Sequence, residues 1–363
     1  MKIVDVQAYL VFGQRVFVRV FTDEGIDGLG ECSPMNGGRV IAYFVNTVLR
    51  PLCLGHNPLE IDKLWTAMFY RPYKLGVMGA HLEAIAGVDI ALWDILGKAT
   101  KLPISVLLGG RYREKVRMYA SIGGGAARTP AQQAKLVEEH LARGFTAVKI
   151  RMDWQYHTDV NPDKDWAMFQ ECKKLTGDAV PLSFDANNGY SPSTAIAQGR
   201  RLESLGIYHF EEPVMVEDYA GYAQVAHALD VPVSAGEHEY TRWQFRDLID
   251  RAQVDIIQPD IVKCGGFSEI RKIAALGEAH HKHIVPHQTQ PTVGTAANLH
   301  FIASLRDATR PQEFSQVTPM HARLNSLFSE PLEFKDGYLT VPSKPGLGLE
   351  LDEVAFQKAV AEQ

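Results

Sequence analysis

The segments VPLSFD (180–185), IYHFE (207–211) and VPVSAGE (231–237) decide the fold, because each is a short apolar run that ends on an acid. Runs of this length and composition are typical of buried β-strands, and helix-forming sequence separates them. The final acids stand 26 residues apart, as expected for a repeated strand–helix unit. We therefore predict an α/β fold, a modified TIM-like (β/α) barrel, in which the C-terminal ends of the parallel strands share one face.

The acids that end these segments are Asp185, Glu211 and Glu237. On the shared face of a barrel they would approach one another, and the loops that follow the strands would build an active site around them. Carboxylate oxygens are the ligands that Mg²⁺ prefers, and three of them leave coordination positions for water and a substrate. The sequence therefore predicts a Mg²⁺ site at this rim.

The segment FTAVKIRM (145–152), which is the predicted strand before the one that ends at Asp185, contains two cations. Lys149 and Arg151 are two residues apart, so strand alternation places them on the same face. Charged groups inside an apolar strand are costly unless they meet opposite charge. They form either structural ion pairs or a group that binds a carboxylate or transfers a proton. Their position one strand before Asp185 favours the functional interpretation.

The later strand-like segments VDIIQPD and HIVPH end on Asp260 and His287, which are 27 residues apart. An Asp and a His at neighbouring strand ends can form a hydrogen-bonded dyad, in which the Asp fixes the tautomer of the imidazole. The last strand, PQEFS, contains Glu313, which could also be a structural salt bridge at the rim. These residues predict an acid–base group beside the metal site.

The two ends of the chain have a different pattern. Residues 1–32 alternate like an antiparallel meander, residues 40–98 are helical in pattern, and the end of the chain contains a DG turn between strand-like pieces. We expect an α+β capping domain at 1–115, completed by the tail 326–363, and a catalytic barrel at 116–325.

The segment YRPYKLGVMG (70–79) joins two predicted helices of the capping domain. It is either an ordinary loop or a lid over an anionic substrate, which would use Lys74 and Tyr73. We expect substrate specificity to come from this segment, from residues 12–15 and from the loops that follow the barrel strands.

The composition of the chain indicates which kinds of partner and which compartment to expect. The 363 residues carry a net charge of −6 and contain no basic run, so nucleic acid is not expected as a partner. No apolar run approaches the ~18 residues of a membrane span. The four cysteines are scattered without metal-ligand spacing, which is typical of a reduced, cytoplasmic protein.

Several motifs occur in order along the chain: AIAGVDIALWDILGK, LLGG, FDANNGY, FEEP, AGE, QPDIVKCGG and VPH. Together they resemble the enolase superfamily, in its mandelate racemase branch, over almost the whole length. That superfamily uses a Lys or His base with Mg²⁺ to stabilise an enediolate, and its members are often homo-oligomers, so we expect a homo-oligomer here.

The resemblance also implies roles for individual residues. Asp185, Glu211 and Glu237 would bind Mg²⁺, with Asn187 and Glu212 close to the metal. The other implied roles are a base at His287 supported by Asp260, and a hydrogen bond from Glu313 to the substrate carboxylate.

One position departs from the racemase pattern. That pattern is Lys-x-Lys on the second strand of the barrel, whereas this sequence has Lys149-Ile150-Arg151 there. Arginine does not readily give up its proton, so Arg151 is a poor base and a two-base racemase is disfavoured. A dehydratase can work with one base, and Arg151 would then bind a carboxylate or a hydroxyl. The stretch GEHEYTRWQFRDLI (236–249) is similar to rhamnonate-type sugar-acid dehydratases.

The expected function is therefore a Mg²⁺-dependent dehydratase of an aldonate or related acid sugar. His287 would remove the C2 proton and the C3 hydroxyl would leave, which gives a 2-keto-3-deoxy acid. Two alternatives remain: a racemase or epimerase of a 2-hydroxy acid with Lys149 as the second base, and a sugar-acid-binding protein without turnover.

Overall fold

The structure is a computed structural model that describes residues 1–33, 37–315 and 319–362. Its first element is a three-stranded antiparallel sheet in the order β1 (Ile3–Val11), β2 (Arg15–Thr22) and β3 (Asp27–Cys32). This is the meander that the alternation at the start of the chain predicted. β2 buries Val16, Phe17, Val18 and Val20, which belong to an apolar core that continues into the rest of the molecule.

Among the described residues, five α-helices complete the N-terminal part, and the longest, α4, packs across β3. A Cβ atom added to Gly30 would lie 1.9 Å from the carbonyl oxygen of Gly87, so the helix backbone touches the strand backbone there. α4 is buried over most of its length, including three acids, Glu83, Asp89 and Asp94. The helices are α1 (Gly38–Phe44), α2 (Arg50–Cys53), α3 (Ile61–Tyr70), α4 (Ala80–Thr100) and α5 (Ile104–Leu107). We call β1–β3 and α1–α5 together the cap.

The second part is a barrel of eight parallel strands, as predicted. Each strand pairs with the next from β4 to β10, and β11 returns to pair with β4, where Glu313 lies opposite Tyr119. The strands are β4 (Lys115–Ile122), β5 (Val148–Arg151), β6 (Leu182–Asp185), β7 (Phe210–Glu211), β8 (Val233–Ala235), β9 (Ile256–Ile257), β10 (His283–Ile284) and β11 (Gln312–Phe314).

Helices connect these strands and cover the outside of the barrel. They are α6 (Pro130–Ala142), α7 (Pro162–Thr176), α8 (Pro192–Glu203), α9 (Tyr219–Ala228), α10 (Thr241–Asp247), α11 (Phe267–Ala279) and α12 (Val293–Ser304). In the described parts of the chain, no helix combines the length and the apolar character needed to cross a membrane.

The tail returns to both parts of the molecule. Its elements are α13 (Pro319–Asn325), β12 (Phe334–Lys335), β13 (Tyr338–Thr340) and α14 (Glu353–Ala361). β13 pairs antiparallel with the first residues of β4. α14 covers the first sheet, because Phe356 contacts the rings of Tyr9 and Phe17.

Candidate active site

Three acids converge at the C-terminal ends of neighbouring barrel strands. Asp185 and Glu211 are the last residues of β6 and β7 and lie opposite each other in the strand register. Glu237 follows β8 by two residues. One oxygen from each carboxylate lies within 4.8 Å of the others, and all three side chains are buried. The structure thus brings together the residues that the sequence predicted as metal ligands.

This donor set fits a divalent cation with oxygen ligands. The Oδ2 atom of Asp185 is buried and accepts no hydrogen bond within the described residues, although the Lys149 ammonium lies 3.4 Å away, so this oxygen is available to a cation. Burial and the charge of Glu211 raise the pKa of Asp185 well above its usual range. Mg²⁺ prefers such hard oxygen donors.

Lys149 supplies positive charge below the cluster. Its Nζ atom contacts Glu211 and lies 3.1 Å from Oε1 of Glu313 and 3.4 Å from Oδ2 of Asp185. The side chain is 1% exposed. Burial lowers the pKa of this lysine, but the charges of Glu211 and Glu313 outweigh it, so the pKa is raised well above its usual value. Lys149 is therefore a fixed cation within the site.

Asp260 and His287 form the predicted hydrogen-bonded pair. Oδ2 of Asp260 lies 2.7 Å from Nδ1 of His287, and Oδ1 of Asp260 accepts a hydrogen bond from the Val262 main chain at 2.9 Å. The other ring nitrogen, Nε2, is 3.3 Å from Oε2 of Glu237. Burial lowers the pKa of His287, but the charge of Glu237 and the bond to Asp260 raise it to about 9. One ring nitrogen is thus held by Asp260 and the other faces the carboxylate cluster.

Glu313 lies between this dyad and Lys149. Its Oε2 atom accepts the main-chain N–H of Gln288 at 2.8 Å, directly after His287. Burial raises the pKa of Glu313, but Lys149 and His287 outweigh it and lower the pKa. Glu313 is therefore an ionised group that links β11 to the segment carrying the base.

Arg151 occupies a fixed position at the end of β5, paired in register with Asp185. Its Nε atom lies 3.1 Å from Oδ1 of Asp153. A Cβ atom at Gly123 would come within 2.3 Å of the guanidinium, so glycine makes room for it. Burial lowers the pKa of Arg151, but the charges of Asp185 and Asp153 raise it. Arg151 can therefore donate hydrogen bonds and does not accept a proton.

Asn187 and Glu212 lie beside the cluster, as the resemblance implied. The Asn187 main chain donates to Oδ1 of Asp185 at 2.8 Å, and its side-chain amide is 3.4 Å from Oε2 of Glu212. Oε1 of Glu212 is buried without a hydrogen-bond partner. Glu212 also approaches Glu237 and His238, so these three residues form a second convergent group.

Tyr73 and Lys74 lie apart from this cluster in the described contacts. Tyr73 is half exposed and stacks on Tyr70. It lines a surface groove of about 380 Å³ together with Met78 and Trp243. The lid that the sequence suggested at residues 70–79 stays a prediction.

A buried polar layer below the metal ligands was not predicted. His209 Nε2 and Gln258 Nε2 lie 3.2 Å and 2.7 Å from Oε2 of Glu211. Ser183 contacts the other nitrogen of His209 at 2.9 Å. Each of these residues precedes a strand-end acid by two positions, so strand alternation already places it on the inward face. That alternation is the signal that could have found them.

Comparison with known families agrees with this architecture. The family model described as enolase C-terminal domain-like matches residues 132–355. The model described as mandelate racemase / muconate lactonizing enzyme, N-terminal domain, matches residues 11–109. The two models together cover most of the cap and the barrel, with β4 outside both, and they include the three acids, Lys149 and the dyad.

Individual relatives extend over nearly the whole chain. Arabinonate dehydratase of Saccharolobus solfataricus is 33% identical over 94% of this chain and 90% of the relative. D-galactarolactone cycloisomerase of Agrobacterium fabrum is 36% identical over the same shares. The crystal structure of a mandelate racemase/muconate lactonizing protein from Paracoccus denitrificans, complexed with magnesium, has a TM-score of 0.94 and 39% identity and covers 98% of this chain and 97% of that one. The chain therefore belongs to the enolase superfamily, in the mandelate racemase and muconate lactonizing enzyme family.

Proposed function

We propose that the protein is a Mg²⁺-dependent dehydratase of a sugar acid, which forms a 2-keto-3-deoxy acid. The observation that carries this proposal is the placement of His287, which is held by Asp260 on one side and lies 3.3 Å from Glu237 on the other. A base in this position can reach a proton on the carbon next to a carboxylate that is bound at the cluster.

Asp185, Glu211 and Glu237 would hold the cation. When bound, Mg²⁺ supplies a Lewis acid that polarises the substrate carboxylate. Lys149 adds a preorganised positive charge on the same side, where negative charge develops as the C2 proton leaves. The Paracoccus protein, whose structure includes magnesium, supports the choice of metal.

The proton transfers fall to His287. In its neutral form it would take the C2 proton at Nε2, while Asp260 accepts a hydrogen bond from the Nδ1–H and stabilises the imidazolium. A cation bound at Glu237 would offset the negative charge that raises the pKa of His287, which favours that neutral form. The C3–O bond then breaks, the electron pair leaves with the oxygen, and His287 returns the proton to form water. The resulting enol tautomerises to the 2-keto acid.

The environment of β5, the second strand of the barrel, supports elimination over racemisation. Racemisation needs a proton donor and acceptor on both faces of C2. Arg151 is held by Asp153 and keeps its proton. Lys149 is buried among three carboxylates. Neither residue of this strand is therefore a ready second base, and the name of the Saccharolobus relative, a dehydratase, also supports turnover with elimination.

A second candidate is the opening of a ring-closed sugar acid, the activity named for the Agrobacterium relative. The same base would take the proton next to a carboxylate, and a ring C–O bond on the neighbouring carbon would break. A lactone oxygen leaves as a carboxylate, which needs no proton. Arg151 favours this candidate, because its guanidinium can donate hydrogen bonds to the carboxylate that leaves.

The test is a screen of the purified chain with Mg²⁺ against aldonates, aldarates and their lactones, with 2-keto acid formation as the readout. We expect keto acid from at least one substrate, and none from His287→Asn, which should still bind metal. Solvent deuterium at C2 with inversion and without keto acid would instead establish racemisation. Full activity of His287→Asn would reject the mechanism.

A further inference from the structure

Lys263 is a buried lysine that belongs neither to the carboxylate cluster nor to the dyad. Its side chain is 5% exposed, and its Nζ atom donates to the main-chain carbonyl of Glu237 at 2.6 Å. Within the described residues, no carboxylate oxygen lies within 4.0 Å of that ammonium, which faces the Tyr240 ring at 5.7 Å. A buried ammonium without a carboxylate partner is costly, so its placement calls for a physical reason.

The loop that carries Lys263 also carries the acid of the dyad. The Lys263 main chain donates to the carbonyl of Asp260 at 3.0 Å, and Val262 donates to the Asp260 side chain at 2.9 Å. The Lys263 side chain then crosses to the neighbouring strand end. It therefore joins the segment that contains Glu237 to the segment that supports His287.

The cap holds this loop from several sides. The Ser33 main chain donates to the carbonyl of Val262 at 3.2 Å, and the Trp65 indole donates to the carbonyl of Gly265 at 2.8 Å. Together with its internal hydrogen bonds, these contacts give the loop a fixed position. A side chain that extends from this loop can therefore hold a neighbouring segment in place.

Glu237 needs such a restraint more than the other two acids do. Asp185 and Glu211 end their strands but still pair with each other in the sheet, whereas the pairing of β8 ends at Ala235, before Gly236 and Glu237. Yet the Glu237 carboxylate has to reach two groups at once, because it joins the cluster and lies 3.3 Å from His287. Its main chain must therefore be held by something other than the sheet.

We propose that Lys263 is a positioning residue of the metal centre, which holds the main chain of Glu237 so that its carboxylate reaches both the cation and His287. The inference rests on the proposed function in one respect, namely that Glu237 is a metal ligand. Partners that orient metal ligands typically contribute 10–100-fold to metal affinity. A lysine with a merely structural role would change stability and leave that affinity unchanged.

The experiment is a Mn²⁺ titration of the full chain, with free Mn²⁺ followed by electron paramagnetic resonance. We expect Lys263→Met to bind Mn²⁺ about 10–100-fold more weakly than the wild type. Lys263→Arg, which can still donate to the carbonyl, should recover most of the loss. Lys272→Met is the matched control, because Lys272 pairs with Asp62 on the cap and should leave the affinity unchanged.

Unaltered Mn²⁺ affinity in Lys263→Met overturns the inference, even where its thermal stability or turnover falls. If Lys263→Met does not fold, Lys263→Gln takes its place, and the same affinity criterion against Lys263→Arg decides. Failure of the proposed function gives a different result: the wild type itself binds no Mn²⁺ and matches Asp185→Asn. That result overturns the metal centre and this inference together.

Discussion

Asp260→Asn should abolish the function of His287 as a base and leave metal binding intact, and the hydrogen bonds of Asp260 explain why. Oδ1 of Asp260 accepts the main-chain N–H of Val262 at 2.9 Å, so the amide oxygen of an asparagine must take that place. The amide nitrogen then faces Nδ1 of His287, where Oδ2 now lies at 2.7 Å. Nδ1 becomes an acceptor and the ring proton moves to Nε2. The nitrogen that faces the cluster can then no longer take a proton.

General base catalysis contributes typically 10²–10⁴-fold, so kcat should fall by that factor, or about 3–5 kcal/mol in activation free energy. The assay is keto acid formation with the substrate found in the screen, together with Mn²⁺ binding, which should stay near the wild-type value. Asp163→Asn is a matched control, because this aspartate is almost fully exposed and pairs with Arg201 on the barrel surface. A kcat for Asp260→Asn within threefold of the wild type would refute the reasoning.

Three further predictions concern stability. Gly30→Ala should lower the free energy of unfolding by at least about 1–3 kcal/mol in urea titrations, since its Cβ would overlap the Gly87 carbonyl; an unchanged midpoint would contradict the close contact. Mg²⁺ at about 100 times its Kd should stabilise the wild type by about 2.7 kcal/mol in thermal unfolding, and Asp185→Asn should lose this gain; equal shifts in both would exclude the metal site. Burial raises the pKa of Asp89 to about 7, so the native state of the wild type loses stability as pH rises from about 4 to 7, and the loss is complete above that range. The stability of Asp89→Asn relative to the wild type should therefore rise by up to about 4 kcal/mol between pH 4 and pH 8, and parallel pH profiles would contradict the shift.

The barrel could be predicted because its signal is local and repeated. Each strand is short, apolar and followed by a helix, and the acids mark the strand ends at constant spacing. The same regularity places Lys149 and Arg151 on one face. The structure brings Asp185, Glu211 and Glu237 within contact range, as the spacing indicated.

The parts that sequence reasoning missed depend on contacts between distant segments. Nothing near Lys263 in the sequence indicates that its ammonium lies on the Glu237 carbonyl, 26 residues away. The hydrogen bond between Trp65 and Gly265 spans 200 residues and exists because the cap docks on the barrel. The lid at Tyr73 and Lys74 stays a prediction, because a composition suited to binding anions does not fix where a loop lies.

These long-range contacts couple the cap, which is expected to select the substrate, to the barrel loop that supports the base. The loop that contains Asp260 is held by Ser33 and Trp65, which belong to the cap. Because the cap also carries the segments expected to choose the substrate, a change that moves it would move the support of the base as well. Substitutions that change substrate specificity and keep the chemistry are therefore easiest at side chains that do not contact the loop containing Asp260. Within the described contacts Tyr73 and Met78 satisfy that condition, since they line a groove between the cap and α10.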